Sequence, residues 1–432
     1  MLIPRDTYLQ QLIDSRLNNL VKIITGVRRA GKSYLLFKIY RNYLISNGVD
    51  EQNIIEVALD DIKFESLREP KNLSLYLHNQ ISETKQQYYI FLDEVQYAIT
   101  REEMRNRDRP LQLYDVLNSL LHLGNVDVYV TGSNSKFLSS DIMTEFRGRS
   151  DIIHVYPLSF AEFQAVSNLD TTEAYEEYAH LGGMPHLMRL KSEERKIQYL
   201  TNLFSEVYFR DIVERYTIQR PLILSLLTDI LCSSVGSLTN ANKLAKTITS
   251  NEGKKISTET IATYLNHLID SFLFKEAKRY DVKGKRYFYY PSKFFCTDVG
   301  LRNARLSFRQ QDEGHIMENI IFNELISRGY LVDVGVVETT ELDASGKQRQ
   351  KQLEVDFVVN RGAARFYIQS SVSMDTEQKT SQELRPFRVI QDNFKKIIIT
   401  KSHTKPWLDE LGILHIGLYQ FLLDRDLLNY PL

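Results

Sequence analysis

Between the apolar run Val21–Thr25 and an amphipathic stretch that begins at Ser33, the chain reads Gly26-Val27-Arg28-Arg29-Ala30-Gly31-Lys32-Ser33. The spacing is G-x-x-x-x-G-K-S, with a strand-like segment leading in and a helical one leading out. Two glycines at this spacing let backbone N–H groups turn inward and cradle phosphate oxygens, and the helix start adds its positive dipole end. The pattern predicts an ATP site. Lys32 reaches the β- and γ-phosphates, and the Ser33 hydroxyl is a ligand of Mg²⁺. Gly26, Arg28, Arg29, Ala30, Gly31 and Tyr34 complete the nucleotide contacts.

Such a loop needs a parallel sheet behind it, and the sequence supplies one. Apolar runs at Leu20–Thr25, Ile54–Asp60, Tyr88–Asp93, Val126–Thr131 and Ile152–Tyr156 alternate with helical patterns. This is the signature of an α/β domain around a buried parallel sheet. In one helical pattern Leu111, Tyr114, Leu117, Leu120 and Leu121 share a face. The run YYIFLDE ends in Asp93 and Glu94, and burying two adjacent carboxylates for packing alone is costly. Asp93 is expected to hold Mg²⁺ through water, and Glu94 to orient and deprotonate the attacking water. At the end of the fourth run, Thr131-Gly132-Ser133-Asn134 offers a polar group beside the γ-phosphate. Ser133 and Asn134 both qualify. Arg149, in Arg147-Gly148-Arg149, is a candidate to stabilise transition-state charge on a neighbouring protomer's nucleotide, which implies a homo-oligomer. The mixed charges of Arg101–Arg109 read as a solvated loop.

Composition narrows the remainder. A formal net charge of -1 gives no overall attraction to nucleic acid or to an anionic membrane. Two cysteines are too few for a disulfide framework, and the N-terminus carries no apolar leader. A cytoplasmic protein with no membrane partner is expected. After Pro157 the pattern turns helical through about Ser233. A helix–turn–helix pattern follows, with a first helix over Asn240–Lys246, a polar turn at Asn251–Lys255 and Ser257 capping the next helix. That helix carries Ile261, Tyr264, Leu265, Leu268 and Phe272 on its apolar face. Phe274–Tyr280 and Arg286–Tyr290 then flank a Lys-Gly-Lys turn, as in a winged-helix wing. The predicted organisation is an ATPase core over 1–157, a helical lid over 158–232, a winged helix over 233–304 and a second α/β domain over 305–432. The second helix exposes Glu259, Thr260, Thr263, Asn266, His267 and Asp270 without Lys or Arg, which disfavours DNA phosphates. The wing is basic at Lys278, Arg279, Lys283, Lys285 and Arg286, beside Tyr287 and Tyr289. A DNA partner and a protein partner both remain open.

GVRRAGKS, FLDEVQ, TGSN, FRGRS with YPLSFAEF, and GGMP together resemble the AAA+ ATP-binding proteins of bacteria and archaea that carry a winged helix and a restriction-endonuclease-like C-terminal domain. The resemblance continues through YFRDIVERY, KFFCTDVGLRN, ENIIFNEL and EVDFVV. It implies the same roles for Lys32, Ser33, Asp93 and Glu94, favours Arg149 as the finger, and makes Gly182–Pro185 part of a lid. It also implies a nuclease-type constellation, E…D…(E/Q)-x-K, at Glu318, Asp356 and Gln369. The lysine expected two residues after Gln369 is Ser371, which predicts a vestigial, inactive site unless an amine arrives from elsewhere, such as Lys351. The expected function is ATP hydrolysis that switches the shape of the C-terminal modules. The rivals are a nucleotide-dependent DNA nuclease and a non-catalytic interaction protein stabilised by ATP.

Overall fold

A computed structural model describes residues 3–81, 86–100, 103, 111–132, 148–253, 255–310, 312–342 and 348–429. The chain divides into two compact units, 1–157 with 270–272, and 158–269 with 273–432.

In the first unit five strands form one sheet: β1 (Val21–Thr25), β2 (Ile54–Ala58), β3 (Tyr88–Asp93), β4 (Val126–Thr131) and β5 (Ser150–His154). Their order is β2-β3-β4-β1-β5, and each neighbouring pair is parallel. β1, β3 and β4 are buried at every position, which is why they read as mainly apolar runs, interrupted only by the paired Lys22 and Asp127, rather than as alternating ones. One face packs on the helices Pro70–Gln80 and Gln112–Leu121 through Leu73, Leu77, Leu113, Leu117 and Leu120. The other face is aromatic, with Tyr40, Phe91 and Tyr129 in mutual contact at ring separations of 5.0–5.9 Å. A buried polar network closes the early end of the sheet. Lys22 pairs with Asp127, Tyr129 donates to Asp127 at 2.8 Å, and the Tyr40 and Tyr129 hydroxyls lie 2.6 Å apart. The buried Lys22 ammonium donates a hydrogen bond to the Asp127 carboxylate, which offsets part of the cost of its burial.

The second unit begins with helices and ends in an eight-stranded sheet. Its strands are β6 (Phe274–Asp281), β7 (Arg286–Cys296), β8 (Leu331–Leu342), β9 (Gln348–Arg361), β10 (Ala364–Ser371), β11 (Lys395–Thr400), β12 (Trp407–Leu408) and β13 (Leu414–Gly417), in the order β12-β13-β11-β10-β9-β8-β6-β7. The helices Ala241–Glu252 and Thr258–Asp270 are present, capped by Asn240 and by Ser257, whose side chains accept from Lys243 N–H and Thr260 N–H. Gly253, left-handed at φ 66°, ends the first of them. Phe272 lies beyond the second helix at φ 59° and stacks edge-on against His154 of the first unit's own residues. The hairpin expected as a wing is the β6–β7 pair, and β6 also runs parallel to β8 through Arg279↔Val334 and Asp281↔Val336. The sheet therefore crosses the expected boundary at 304/305. The segments 158–232, 233–304 and 305–432 lie in one compact unit, apart from residues 270–272. A buried aspartate explains part of this. Asp298 caps the helix Val299–Arg305 through Leu301 N–H at 3.0 Å and accepts Gly183 N–H at 2.7 Å, so GGMP is fastened to TDVGLRN. Asn303 adds bonds to the carbonyls of Ala179 and His180.

No described helix is long and apolar enough to cross a membrane.

Candidate nucleotide site

The phosphate loop joins β1 to the helix that begins at Lys32–Tyr34 and continues through a π turn at Leu35–Tyr40 into Arg41–Ser46. Gly26 takes φ 135°, and a Cβ there would stand 2.1 Å from the Val155 carbonyl oxygen, so only glycine fits. Gly31 takes φ 98°, and Arg29 is left-handed at φ 63°. Arg28 is half-buried, and Arg29 and the Ser33 side chain face solvent.

Lys32 is 4% exposed and donates to the carbonyls of Gly26 at 3.0 Å and Val27 at 3.1 Å. Burial pushes its ammonium down to about 8, although Glu94 and Asp93 act in the opposite sense. Asp93, at the end of β3, is buried, and its carboxyl is raised above the usual range, first by burial. Hydrogen bonds from Thr131 and Ser33 partly offset that rise. The two residues expected to hold Mg²⁺ are thus brought together. Ser33 and Asp93 offer the hard oxygen ligands this ion takes alongside nucleotide phosphates.

Glu94 follows at φ 50° and ψ 49°, left-handed, which for a non-glycine residue costs about 1–3 kcal/mol. Its backbone N–H donates to Thr131 Oγ1 at 3.1 Å, and Gln96 Nε2 donates to its carboxylate. Glu94 thus directly follows β3, at the C-terminal edge of the sheet. Thr131, Gln96 and Arg5 were not singled out from the sequence. Arg5 is buried and reaches the Ala30 carbonyl at 3.3 Å and the Tyr156 carbonyl at 2.7 Å, tying the loop to the end of β5. A signal for Thr131 existed: it is the hydroxyl residue that ends β4, one register step beyond Leu92↔Val130 and beside Asp93.

Ser133, Asn134 and Arg147 lie outside the described residues, as does most of Arg101–Arg109. Arg149 is exposed, and its carbonyl accepts from Val21 N–H at 3.0 Å, at the start of β1. The loop departs from the other end of that strand, so Arg149 is not gathered into this chain's own site.

In the second unit Glu318, Asp356 and Gln369 do come together. Gln369 Oε1 accepts from Asp356 N–H at 3.2 Å, and all three line one cleft. Ser371 is buried and donates to the Ser373 carbonyl at 2.7 Å. Lys351 is exposed at the cleft's rim. The amine found among the carboxylates is a different one, Lys293 of β7. The basic wing is partly self-satisfied, since Arg279 donates to Gln352, Lys283 to the Glu338 carbonyl, and Arg286 to Asp281. His267, expected on the open face of its helix, is stacked on Tyr216 at 3.8 Å.

A five-stranded parallel sheet with this loop, this lysine and this carboxylate pair defines a P-loop ATPase domain of the AAA class, and a family model described as an AAA domain matches residues 18–164. Two further models, each described as a domain of unknown function, match 172–312 and 313–419. An uncharacterised protein of Haemophilus influenzae is 31% identical over 421 residues, covering 96% of this chain and 98% of that one. The chain belongs to its family. An uncharacterised protein of Methanocaldococcus jannaschii is 28% identical over 357 residues, covering 79% of this chain and 72% of that one. Solved structures with some likeness include AMPPCP-bound DnaA from Aquifex aeolicus, with TM-score 0.32, 16% identity and coverage of 62% of this chain and 89% of that one. Another is the Aeropyrum pernix ORC1 protein in complex with DNA, with TM-score 0.31, 13% identity and coverage of 71% and 93%.

Proposed function

We propose that this chain binds and hydrolyses Mg-ATP, and that hydrolysis drives a conformational switch whose output is the C-terminal unit. The observation that carries the reading is the meeting of Lys32, Ser33, Asp93 and Glu94 at the C-terminal edge of one parallel sheet. Lys32 Nζ donates to the Gly26 and Val27 carbonyls. Phosphate oxygens compete for that ammonium and draw it outward, because a charge-assisted bond to an anion is stronger than one to a neutral carbonyl. Ser33 and Asp93 would hold Mg²⁺, which neutralises charge on the β- and γ-phosphates. Glu94 accepts the proton of the attacking water once the Gln96 amide releases its carboxylate. Ser133 or Asn134 senses the γ-phosphate, and Arg149 serves the site of a neighbouring copy. DNA or a protein partner reads the switch through the C-terminal unit. Phosphate release from purified protein, compared with Lys32→Ala, tests the reading. ATP binding without any release would leave a nucleotide-stabilised interaction protein in its place.

A further inference from the structure

A cleft of about 920 Å³ in the second unit opens over Glu318, Glu354, Asp356, Gln369 and Ser370. Its floor concentrates negative charge. Glu318, 8% exposed, comes from the helix Glu313–Ser327. Glu354 and Asp356 stand two apart on β9 and therefore point to the same face. Carboxylates sharing a poorly solvated site require a cation or a proton.

That cation is part of the chain. Lys293 of β7 is 4% exposed, and its Nζ lies 2.7 Å from Glu318 Oε1 and 2.8 Å from Glu354 Oε1. Burial alone would lower its ammonium, but Glu318, Asp356 and Glu354 together raise it above the ordinary lysine range. Asp356 is pushed up to about 7, by burial first and then by Glu318.

Resemblance to endonuclease-like domains calls for a divalent metal at Glu318, Asp356 and Gln369, and the donor oxygens do not fit one. Glu318 Oε1 is taken by Lys293. Asp356 Oδ2 accepts both the N–H and the hydroxyl of Ser370, each at 2.8 Å. Gln369 Oε1 accepts Asp356 N–H, and its amide nitrogen donates to Glu383 at 2.9 Å. Among the described residues no three His, Cys, Asp or Glu side chains are grouped to hold a metal ion. Mg²⁺ demands a near-octahedral oxygen shell at about 2.0–2.1 Å, and a buried ammonium bridging Glu318 and Glu354 repels a dication from the same carboxylates.

We infer that Lys293 is the resident cation of this cleft, standing where a divalent metal would otherwise sit and clamping β7, β9 and the helix Glu313–Ser327 together. The inference goes beyond ATP hydrolysis and is independent of it. Removal of the amine should convert the cleft into a divalent-cation site, since a neighbouring unit charge moves such equilibria by about one to three orders of magnitude, as it moves a pKa.

The test is Mn²⁺ titration of the full chain without nucleotide, followed by electron paramagnetic resonance and by thermal melting. Wild type is expected to bind no Mn²⁺ at this site up to millimolar concentration and to melt at an unchanged temperature. Lys293→Met should melt lower, bind Mn²⁺ at least about tenfold more tightly than wild type, and regain melting temperature with it. Adding Asp356→Asn should abolish that gain. Wild-type Mn²⁺ binding that Asp356→Asn removes would overturn the inference, as would a folded Lys293→Met variant with no gain. If Lys293→Met folds only when refolded with Mn²⁺, the inference stands. If it folds under neither condition, the wild-type titration with its Asp356→Asn control decides.

Discussion

The Thr131 hydroxyl donates to the Asp93 carboxylate across the β3–β4 boundary and accepts the N–H of Glu94 at 3.1 Å. One side chain therefore sets both the orientation of a metal-binding carboxylate and the backbone of the strained residue that follows it. The bond to Asp93 also favours its ionised form against the upward pull of burial.

Thr131→Val keeps the shape and the β-branched stem, so the sheet should persist. It leaves the Glu94 N–H without its partner and removes a donor from Asp93. Loss of such a bond is worth about 1–3 kcal/mol, which corresponds to about a 5- to 150-fold fall in turnover. The Mg²⁺ concentration for half-maximal rate should rise as well. Steady-state phosphate release across a Mg²⁺ titration checks both effects. An unchanged midpoint would remove Thr131 from the metal side of the site.

Lys32 gives a pH signature. Its ammonium stands near 8 in the free chain against 10.5 in an ordinary lysine. Phosphates restore its charge, so nucleotide binding should take up a proton above pH 8 or so, and affinity should weaken as pH rises there. Calorimetric titration in buffers of different ionisation enthalpy reads the uptake directly. The stability sign is opposite to that of a salt bridge. Burying this ammonium costs about 3 kcal/mol below the folded pKa, where both states are protonated; the cost falls away between the two pKa values, where folding releases the proton, and is nil above the unfolded one. Lys32→Met should therefore stabilise the nucleotide-free protein at neutral pH, by an amount that fades as pH climbs from about 8 to 10.5.

Asp298 titrates elsewhere, with a consequence for the second unit. Burial pushes its carboxyl up to about 6 from 3.8, despite the Gly183 and Leu301 N–H groups it accepts. A raised carboxyl pKa contributes stability that is complete below 3.8 and lost as pH rises through 6. The difference between wild type and Asp298→Asn should accordingly shrink by about 3 kcal/mol over that window. Thermal or urea unfolding at several pH values measures it. A difference independent of pH would show that Asp298 acts only as a helix cap.

What could be read in advance follows from locality. Gly26 to Ser33 are contiguous, and Asp93 and Glu94 end a run with no polar interruption, so backbone chemistry alone identifies them. Three strands of the first sheet, β1, β3 and β4, are legible because full burial erases alternation. Thr131 and Arg5 escape notice because their partners lie 38 and 25 residues away, and only parallel register or the return of β5 brings them near. Lys293 is hidden for a similar reason. It lies beyond the expected wing strand Arg286–Tyr290, where β7 runs on to Cys296, and only the junction of β6 with β8 carries that hairpin into the sheet that bears Glu354 and Asp356. Position 371 lacks the expected lysine, and the amine in the cleft comes from another strand, not Lys351 but Lys293 of β7.

Arg149 supplies the last prediction. Its carbonyl is bonded to Val21 N–H, and β1 and β5 run parallel from Val21↔Ser150 to Thr25↔His154. The phosphate loop leaves β1 after Thr25, so the arginine stands at the opposite end of a five-residue strand, about 17 Å away at the rise of an extended chain. An arginine so placed contributes to hydrolysis only on a neighbouring copy, where it would face transition-state charge on the γ-phosphate. Arg149→Ala should leave nucleotide affinity unchanged and lower turnover, by up to about 10³-fold if the guanidinium acts as a finger. Glu94→Gln should bind ATP without hydrolysing it, because the amide keeps the shape and cannot take the proton. Each variant alone turns over slowly or not at all, but in mixed assemblies an intact Glu94 can meet an intact Arg149 across an interface. Mixing them should therefore restore part of the activity, with a dependence on protein concentration that follows assembly mass measured by light scattering. Loss of activity in an Arg149→Ala protein that remains monomeric at every concentration would refute action between chains, and so would a demonstrated oligomer in which mixing restores nothing.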